Sequence, residues 1–303
     1  MSRTDVSQTI ERIRRQLNST VRLEVNVLGG SLTTSETQLS FTYDLPNSLR
    51  SGAVLSLGTE LMRVVNTNVS AKTADVIRGW QDSDPEAHAL GDEVLINPRF
   101  NRFDIFDAIQ QEIDSWEPDL FYIVDATWET TDATQGVEVP TANANALGVA
   151  YVRRNWDNDN DSPVWPEYRY DLHRGRPGSV TPGQASGLFI RFTEGIGYAS
   201  TGDVIAGLAM PYTSDGITEA TDLVDLEITR SMIELIELGV KARLMGDDEI
   251  GHSARNAQDE PRRNQDVQPG EALSVAQSML QRYERRRNME IRRLRTRYPF
   301  RAW

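Results

Sequence analysis

The stretch Val54-Leu55-Ser56-Leu57-Gly58-Thr59-Glu60-Leu61-Met62-Arg63-Val64-Val65 decides how the first third of the chain is read. Two short runs of branched aliphatic residues flank a two-residue spacer that holds a glycine, which is the signature of a β-hairpin. Runs of the same kind recur at Ala74-Asp75-Val76-Ile77 and Glu93-Val94-Leu95-Ile96, set off by Asn66-Thr67-Asn68 and Asp82-Ser83-Asp84-Pro85. Upstream, Val21, Leu23, Val25 and Val27 alternate with polar residues, and Leu39, Phe41, Tyr43 and Leu45 do so again. That period of two belongs to strands with one buried face. A small antiparallel barrel or curled sheet is expected to end near Pro98.

Working outward, the period changes on both sides. Val6, Ile10, Ile13 and Leu17 stand at steps of four, three and four, so a helix is expected over 4–18. Phe103, Phe106, Ile109, Ile113 and Trp116 predict a second helix over 102–116, with Asp104 as N-cap and Pro118 as its stop. From Leu120 to Tyr212 the chain is strand-like again, with runs such as Phe121-Tyr122-Ile123-Val124 and Leu188-Phe189-Ile190-Arg191-Phe192. The spacers Asp157 to Asp161, Gly175-Arg176-Pro177-Gly178 and Thr181-Pro182-Gly183 cut these runs at a spacing that suggests a β-sandwich. Val224, Ile228, Met232, Leu235 and Ile236 then predict a helix over 218–245, capped by Thr218 and stopped by Gly246. Residues 247–270 read as a polar loop ordered only in an assembly. A final helix from Glu271 is traced by Ala272, Ala276, Met279, Leu280, Tyr283, Ile291, Leu294 and Tyr298 and closed by Pro299. The fold class is therefore α+β: an N-terminal helix plus small antiparallel β-barrel, a central β-sandwich and a C-terminal helical unit. The expected domains are 1–118, 119–215 and 216–303.

Composition narrows the chemistry. The chain has no cysteine, which excludes disulfides, thiolate zinc sites and cysteine nucleophiles. Neither a secretory leader at Met1-Ser2-Arg3-Thr4-Asp5 nor a run of about 18 apolar residues is visible, so no membrane association is expected. Thirty of the 32 basic residues are arginine, Lys72 and Lys241 being the exceptions. Residues 282–301 hold nine arginines against Glu284 and Glu290, a local net of +7, whereas the whole chain carries −13. Such asymmetry marks an arm that seeks an acidic partner or nucleic acid.

No stretch carries the equipment of an enzyme. His88, His173 and His252 are too scattered for a triad or a histidine-based metal site. His88 sits in a turn between strands and reads as a structural histidine bonded to a loop. Asp157, Asp159 and Asp161 alternate like calcium-loop ligands, yet Ser162 and Tyr168 stand where glycine and glutamate are required. The glycine pairs lack the lysine and the strand-to-helix context of phosphate loops, and no nucleophile elbow exists. No catalytic residue, cofactor or metal is expected. For the arginine-rich helix three readings stay open: a protein interface, a DNA contact or a solvated face. Arginines next to Tyr298, Phe300 and Trp303 favour the docked interface, since Arg and aromatic residues concentrate at interface hot spots.

Two stretches carry a resemblance. Gly58 to Val64, then Val76-Ile77-Arg78-Gly79-Trp80, His88, Gly91-Asp92 and Ile96-Asn97-Pro98-Arg99-Phe100 look like a strand-turn-strand module recurrent in virion proteins of tailed bacteriophages. Pro261-Arg262-Arg263, Val267, Pro269-Gly270 and an arginine-rich helix ending in Arg293-Leu294 and Arg297-Tyr298-Pro299, after the helix over 218–245, are similar to the C-terminal halves of head-to-tail adaptor proteins of long-tailed phages. The resemblance implies a helical connector domain with an Arg-rich arm and a ring of about twelve copies. The implied partners are further copies of the chain, the portal protein, the next connector or tail protein, and DNA that passes through the channel without sequence-specific binding. It also implies a place in the virion, after assembly in the host bacterial cytoplasm. The portal-interface candidates are Arg282, Arg285, Arg286, Arg293, Arg297, Tyr298, Phe300, Arg301 and Trp303. The central sandwich departs from the minimal helical adaptors. It leaves an alternative, a baseplate or fibre-attachment protein whose sandwich binds a glycan on Trp128, Trp156 and Trp165.

Overall fold

A computed structural model of the chain describes residues 5–18, 23–130, 136–154, 169–174, 188–192, 202–256, 271–299 and 301–302. Among them the fold is mixed α+β, with four α-helices and antiparallel sheets. Contacts group the chain into one unit of residues 1–112 and 215–284 and another of 113–214 and 285–303.

The first unit is built on six strands, β1 (Glu24–Val27), β2 (Gln38–Ser40), β3 (Val54–Leu57), β4 (Glu60–Asn68), β5 (Thr73–Ile77) and β6 (Glu93–Ile96), in the order β1-β6-β3-β4-β5-β2. The β3–β4 hairpin forms at the expected place: Leu57 lies opposite Glu60, and Gly58 adopts the positive φ of 57° that the tight turn requires. A bulge between Val64 and Asn66 adds bend and twist to β4. The sheet curls far enough for its outer strands to meet. Leu28 bridges Phe41, and the N–H of Thr42 donates to the carbonyl of Val27 at 2.9 Å. This partly closed barrel wraps a core of Leu39, Phe41, Leu55, Leu57, Met62, Val64, Val76, Val94 and Ile96. Each such side chain contributes about 1.5–3 kcal/mol when fully buried.

Helices α1 (Val6–Leu17), α2 (Arg102–Asp114) and α3 (Arg230–Asn256) bury Val6, Ile10 and Ile13, then Ile105 and Ile109, then Leu235, Ile236 and Val240. The Arg102 guanidinium ties α2 to α1 and to the segment before α3 by donating to Glu11 at 2.7 Å, to Ser7 at 2.8 Å and to Glu219. Three expectations need correction. The cap of α2 is Asn101: its Oδ1 accepts the N–H of Asp104 at 2.7 Å, and its Nδ2 donates to the Asp104 carboxylate at 2.6 Å, a reciprocal box. Helix α3 begins at Arg230 instead of 218. The carbonyls of Glu219 and Thr221 instead accept the otherwise orphaned N–H groups of Ser7 and Val6 at the start of α1, and Glu227 turns the chain with a φ of 61°. Gly246 does not stop α3, which continues through residue 256, so the first part of the expected polar loop is helical. Residues 257–270 lie outside the described residues.

The second unit holds two antiparallel sheets. Strands β7 (Phe121–Thr130), β9 (Gly148–Arg154), β12 (Gly202–Pro211) and β13 (Arg301–Ala302) form one, in the order β13-β9-β12-β7. Strands β8 (Gly136–Glu138), β10 (Tyr170–Arg174) and β11 (Leu188–Phe192) form the other, in the order β10-β11-β8. Val149, Val152, Ala206 and Leu208 from the first meet Val137, Tyr170, Leu188 and Ile190 from the second in one core. The Tyr170 hydroxyl crosses between the sheets to donate to the carbonyl of Val149 at 2.8 Å. Helix α4 (Glu271–Arg297) carries the arginine-rich segment, and β13 follows it. The acidic run Asp157 to Asp161, the turn spacers over 175–183, Trp156 and Trp165 lie outside the described residues.

Candidate functional site

Side chains of the stretch from Gly58 to Phe100 converge where the strand pattern alone does not show them meeting. Glu60, at the start of β4, is fully buried. Its Oε1 accepts Arg78 Nε at 2.5 Å and the N–H of Gly79 at 3.4 Å. Its Oε2 accepts Arg78 Nη2 at 2.7 Å, the N–H of Glu86 at 3.0 Å and His88 Nε2 at 2.9 Å. A carboxylate only accepts, so Nε2 is the protonated nitrogen of the His88 ring in this contact. The remaining N–H groups of Arg78 donate to the carbonyls of Thr33 at 2.7 Å, Glu36 at 2.8 Å and Glu86 at 2.6 Å. All five donors of the guanidinium are therefore used. Burial alone would raise the Glu60 pKa. The hydrogen bonds from Arg78, His88 and the Glu86 backbone, with the Arg78 charge, outweigh it and hold the carboxyl at about 2.

This cluster joins four backbone stretches: the loop at 33–36, the head of β4, the end of β5 and the loop at 86–88. His88 is structural, as its position between strands implies, but its partner is a buried carboxylate. The spacing of Glu60, Arg78 and His88 thus has a mechanical cause, a saturated polar knot in which leaving any one group unpaired is expensive. A cavity of about 320 Å³ lies beside it, lined in part by Glu11, Arg14, His88 and Arg102. Those charges already engage one another or the knot: Arg14 pairs with Glu11 at 3.0 Å, and Arg102 pairs with Glu11 and Glu219.

The interface candidates on α4 divide by environment. Glu290 is buried and draws Arg293 to 3.5 Å and Arg286 to 3.9 Å. Arg297 lies over the ring of Tyr298, 5.2 Å from its centre. Arg282 and Arg285 are exposed and pair with no described residue, and Arg292 behaves alike. Arg301 belongs to β13, while Phe300 and Trp303 lie outside the described residues. Asp119 escaped the reading of the sequence. Its two carboxylate oxygens hold Arg287 at 3.3 Å and Arg295 at 3.0 Å, and Arg287 also donates to the carbonyl of Ser115 at 3.1 Å. Its only advance signal was its place beside Pro118 at a helix end.

Trp128, one of the aromatic residues considered for a glycan platform, is partly buried and donates its indole N–H to the carbonyl of Glu138 at 2.9 Å. No helix among the described residues is long and apolar enough to cross a membrane. The sequence matches no known family and no curated protein.

Proposed function

We propose that this chain is a structural protein of a tailed-phage virion, the ring-forming adaptor that joins the portal at the capsid vertex to the tail and surrounds the DNA channel. The observation that carries the proposal is the outer face of α4, where Arg282, Arg285 and Arg292 stand exposed without a described ion-pair partner on a chain of net charge −13. Other arginines of the same helix are held by Asp119 and Glu290, so the helix keeps one set of charges for its own fold and offers another outward. Exposed guanidinium groups suit bidentate pairing with the carboxylates of a neighbour.

In this reading the chain comprises an N-terminal helix and barrel, a β-sandwich and a two-helix connector with its basic arm. The phage-like module acts as a rigid scaffold, because Glu60, Arg78 and His88 are consumed in a buried knot that ties its turns together. The chain does no chemistry; it matches one ring to the next. Its acidic bulk suits a DNA conduit, since negative walls repel phosphates and leave no sticky track.

Mass measurement of the purified protein and electron microscopy of particles test the proposal. A closed ring of about twelve copies beneath the portal is the expected result. A trimer at the tail tip, or absence from the particle, overturns it.

A further inference from the structure

The short strand after α4 points to a way in which copies of the chain hold one another. β13 lies antiparallel on β9, with Arg301 opposite Val149 and Ala302 opposite Gly148. Along its other side β9 is bonded to β12 from Gly148 to Arg154. β13 therefore covers one end of the outer edge of β9, and among the described residues no strand pairs with that edge from Ala150 to Arg154. An edge of this kind is a template for an added strand.

The connection between α4 and β13 sets how firmly the strand is held. The N–H of Tyr298 is still bonded to the carbonyl of Leu294 at 2.7 Å and belongs to the end of the helix. Pro299 has no N–H to give, so the ladder loses a rung when followed back toward α4. Two paired residues provide few hydrogen bonds against the entropy of fixing a chain end. A strand held by so few bonds can open, and Pro299 at its base interrupts the connection to α4.

An opened strand meets the same edge on any other copy of the chain, and pairing there restores the bonds it left. Exchange of an identical element between protomers has little enthalpic cost. It is favoured when copies stand side by side, because the local concentration of strands then reaches the millimolar range.

We propose that the outer edge of β9 at Gly148 and Val149 is an acceptor site for the Arg301–Ala302 strand of a second copy of this chain. The exchange needs several copies close together, not a particular place in a particle. Its failure would leave the adaptor reading standing, and failure of that reading would leave the exchange intact.

The absence of cysteine from the chain makes the test direct. One preparation carries Gly148→Cys, a second carries Ala302→Cys with a tag that changes its size, and the two are mixed and mildly oxidised. A disulfide-linked heterodimer in excess over either homodimer is expected. The double variant should give a ladder of covalent multimers on a non-reducing gel. The proposal is overturned if the double variant closes only within single chains and the mixture gives no heterodimer, or if no disulfide forms in either experiment. Should the cysteine variants not fold, a labelled peptide of residues 298–303 titrated onto the full chain must bind saturably. Absence of binding overturns the acceptor site.

Discussion

Arg78 grips Glu60 through two nitrogens, Nε at 2.5 Å and Nη2 at 2.7 Å, with both side chains almost wholly removed from solvent. Such a pair is costly to assemble and more costly to break. Truncating one partner leaves the other charge buried and alone, a loss of about 3–5 kcal/mol, whereas replacing both with apolar groups of similar volume is often close to neutral. We expect Arg78→Met to lower the urea midpoint sharply, and Glu60→Leu combined with Arg78→Met to recover much of that loss. The backbone carbonyls of Thr33, Glu36 and Glu86 lose their donor in both variants, and in the double variant the N–H groups of Gly79 and Glu86 and His88 Nε2 also lose their acceptor, so recovery is partial. Denaturation curves of the three proteins decide it; a double variant no better than the single one would show that the Glu60 charge left alone is not what destabilises Arg78→Met.

The same pair sets a response to acid. Glu60 has a folded pKa of about 2, well below its ordinary value of 4.5. A depressed carboxyl contributes stability that is present above the unfolded pKa and is lost as pH falls through the folded one. The window is therefore about pH 4.5 down to 2. Asp104 acts with the opposite sign, because burial, opposed by its Asn101 hydrogen bond and aided by the Asp107 charge, raises its pKa. The expected outcome is that thermal midpoints of the wild type fall more steeply than those of Glu60→Gln across that window. Parallel curves would remove Glu60 as the titrating group.

What the sequence disclosed follows from the range of the interactions involved. The hairpin at Gly58-Thr59 and the helix stripe of Val6, Ile10 and Ile13 are local patterns, legible because a turn or a buried face needs only its own residues. The start of α3 was hidden: Val224 and Ile228 keep helical spacing, but the carbonyls of Glu219 and Thr221 are taken by the first N–H groups of α1, more than 200 positions earlier. Gly246 failed as a stop because a glycine ends a helix only where it turns left-handed, and α3 runs on through it. For the candidate site, the density of arginine over 282–301 was plain, while the division between internally held and outward-facing guanidinium groups was not. For Arg287 and Arg295 that division depends on Asp119, 168 positions from Arg287. β13 is still less visible, since two residues after a proline form a strand only because β9 offers an edge.

Gly239 shows how one missing methyl group can set the approach of two helices. A Cβ built on Gly239 in α3 would stand 2.5 Å from the carboxyl carbon and Oε2 of Glu112 in α2, and 2.7 Å from Oε1. Glutamate ends usually swing aside, but this side chain is 3 % exposed and lies 3.8 Å from the Arg243 guanidinium, so it has little room to move. Helix propensity alone says that Gly239→Ala stabilises by about 1 kcal/mol. The collision says the reverse, because overpacking of a filled interior costs about 1–3 kcal/mol. Collision should win in the wild-type background, and Gly239→Ala should lower the melting temperature. Shortening Glu112 to alanine removes the obstacle, so in that background the same substitution should raise stability. A double-mutant cycle measured by chemical denaturation therefore has to show a change of sign. If Gly239→Ala destabilises equally with and without the Glu112 carboxylate, the glycine is required by something other than this contact.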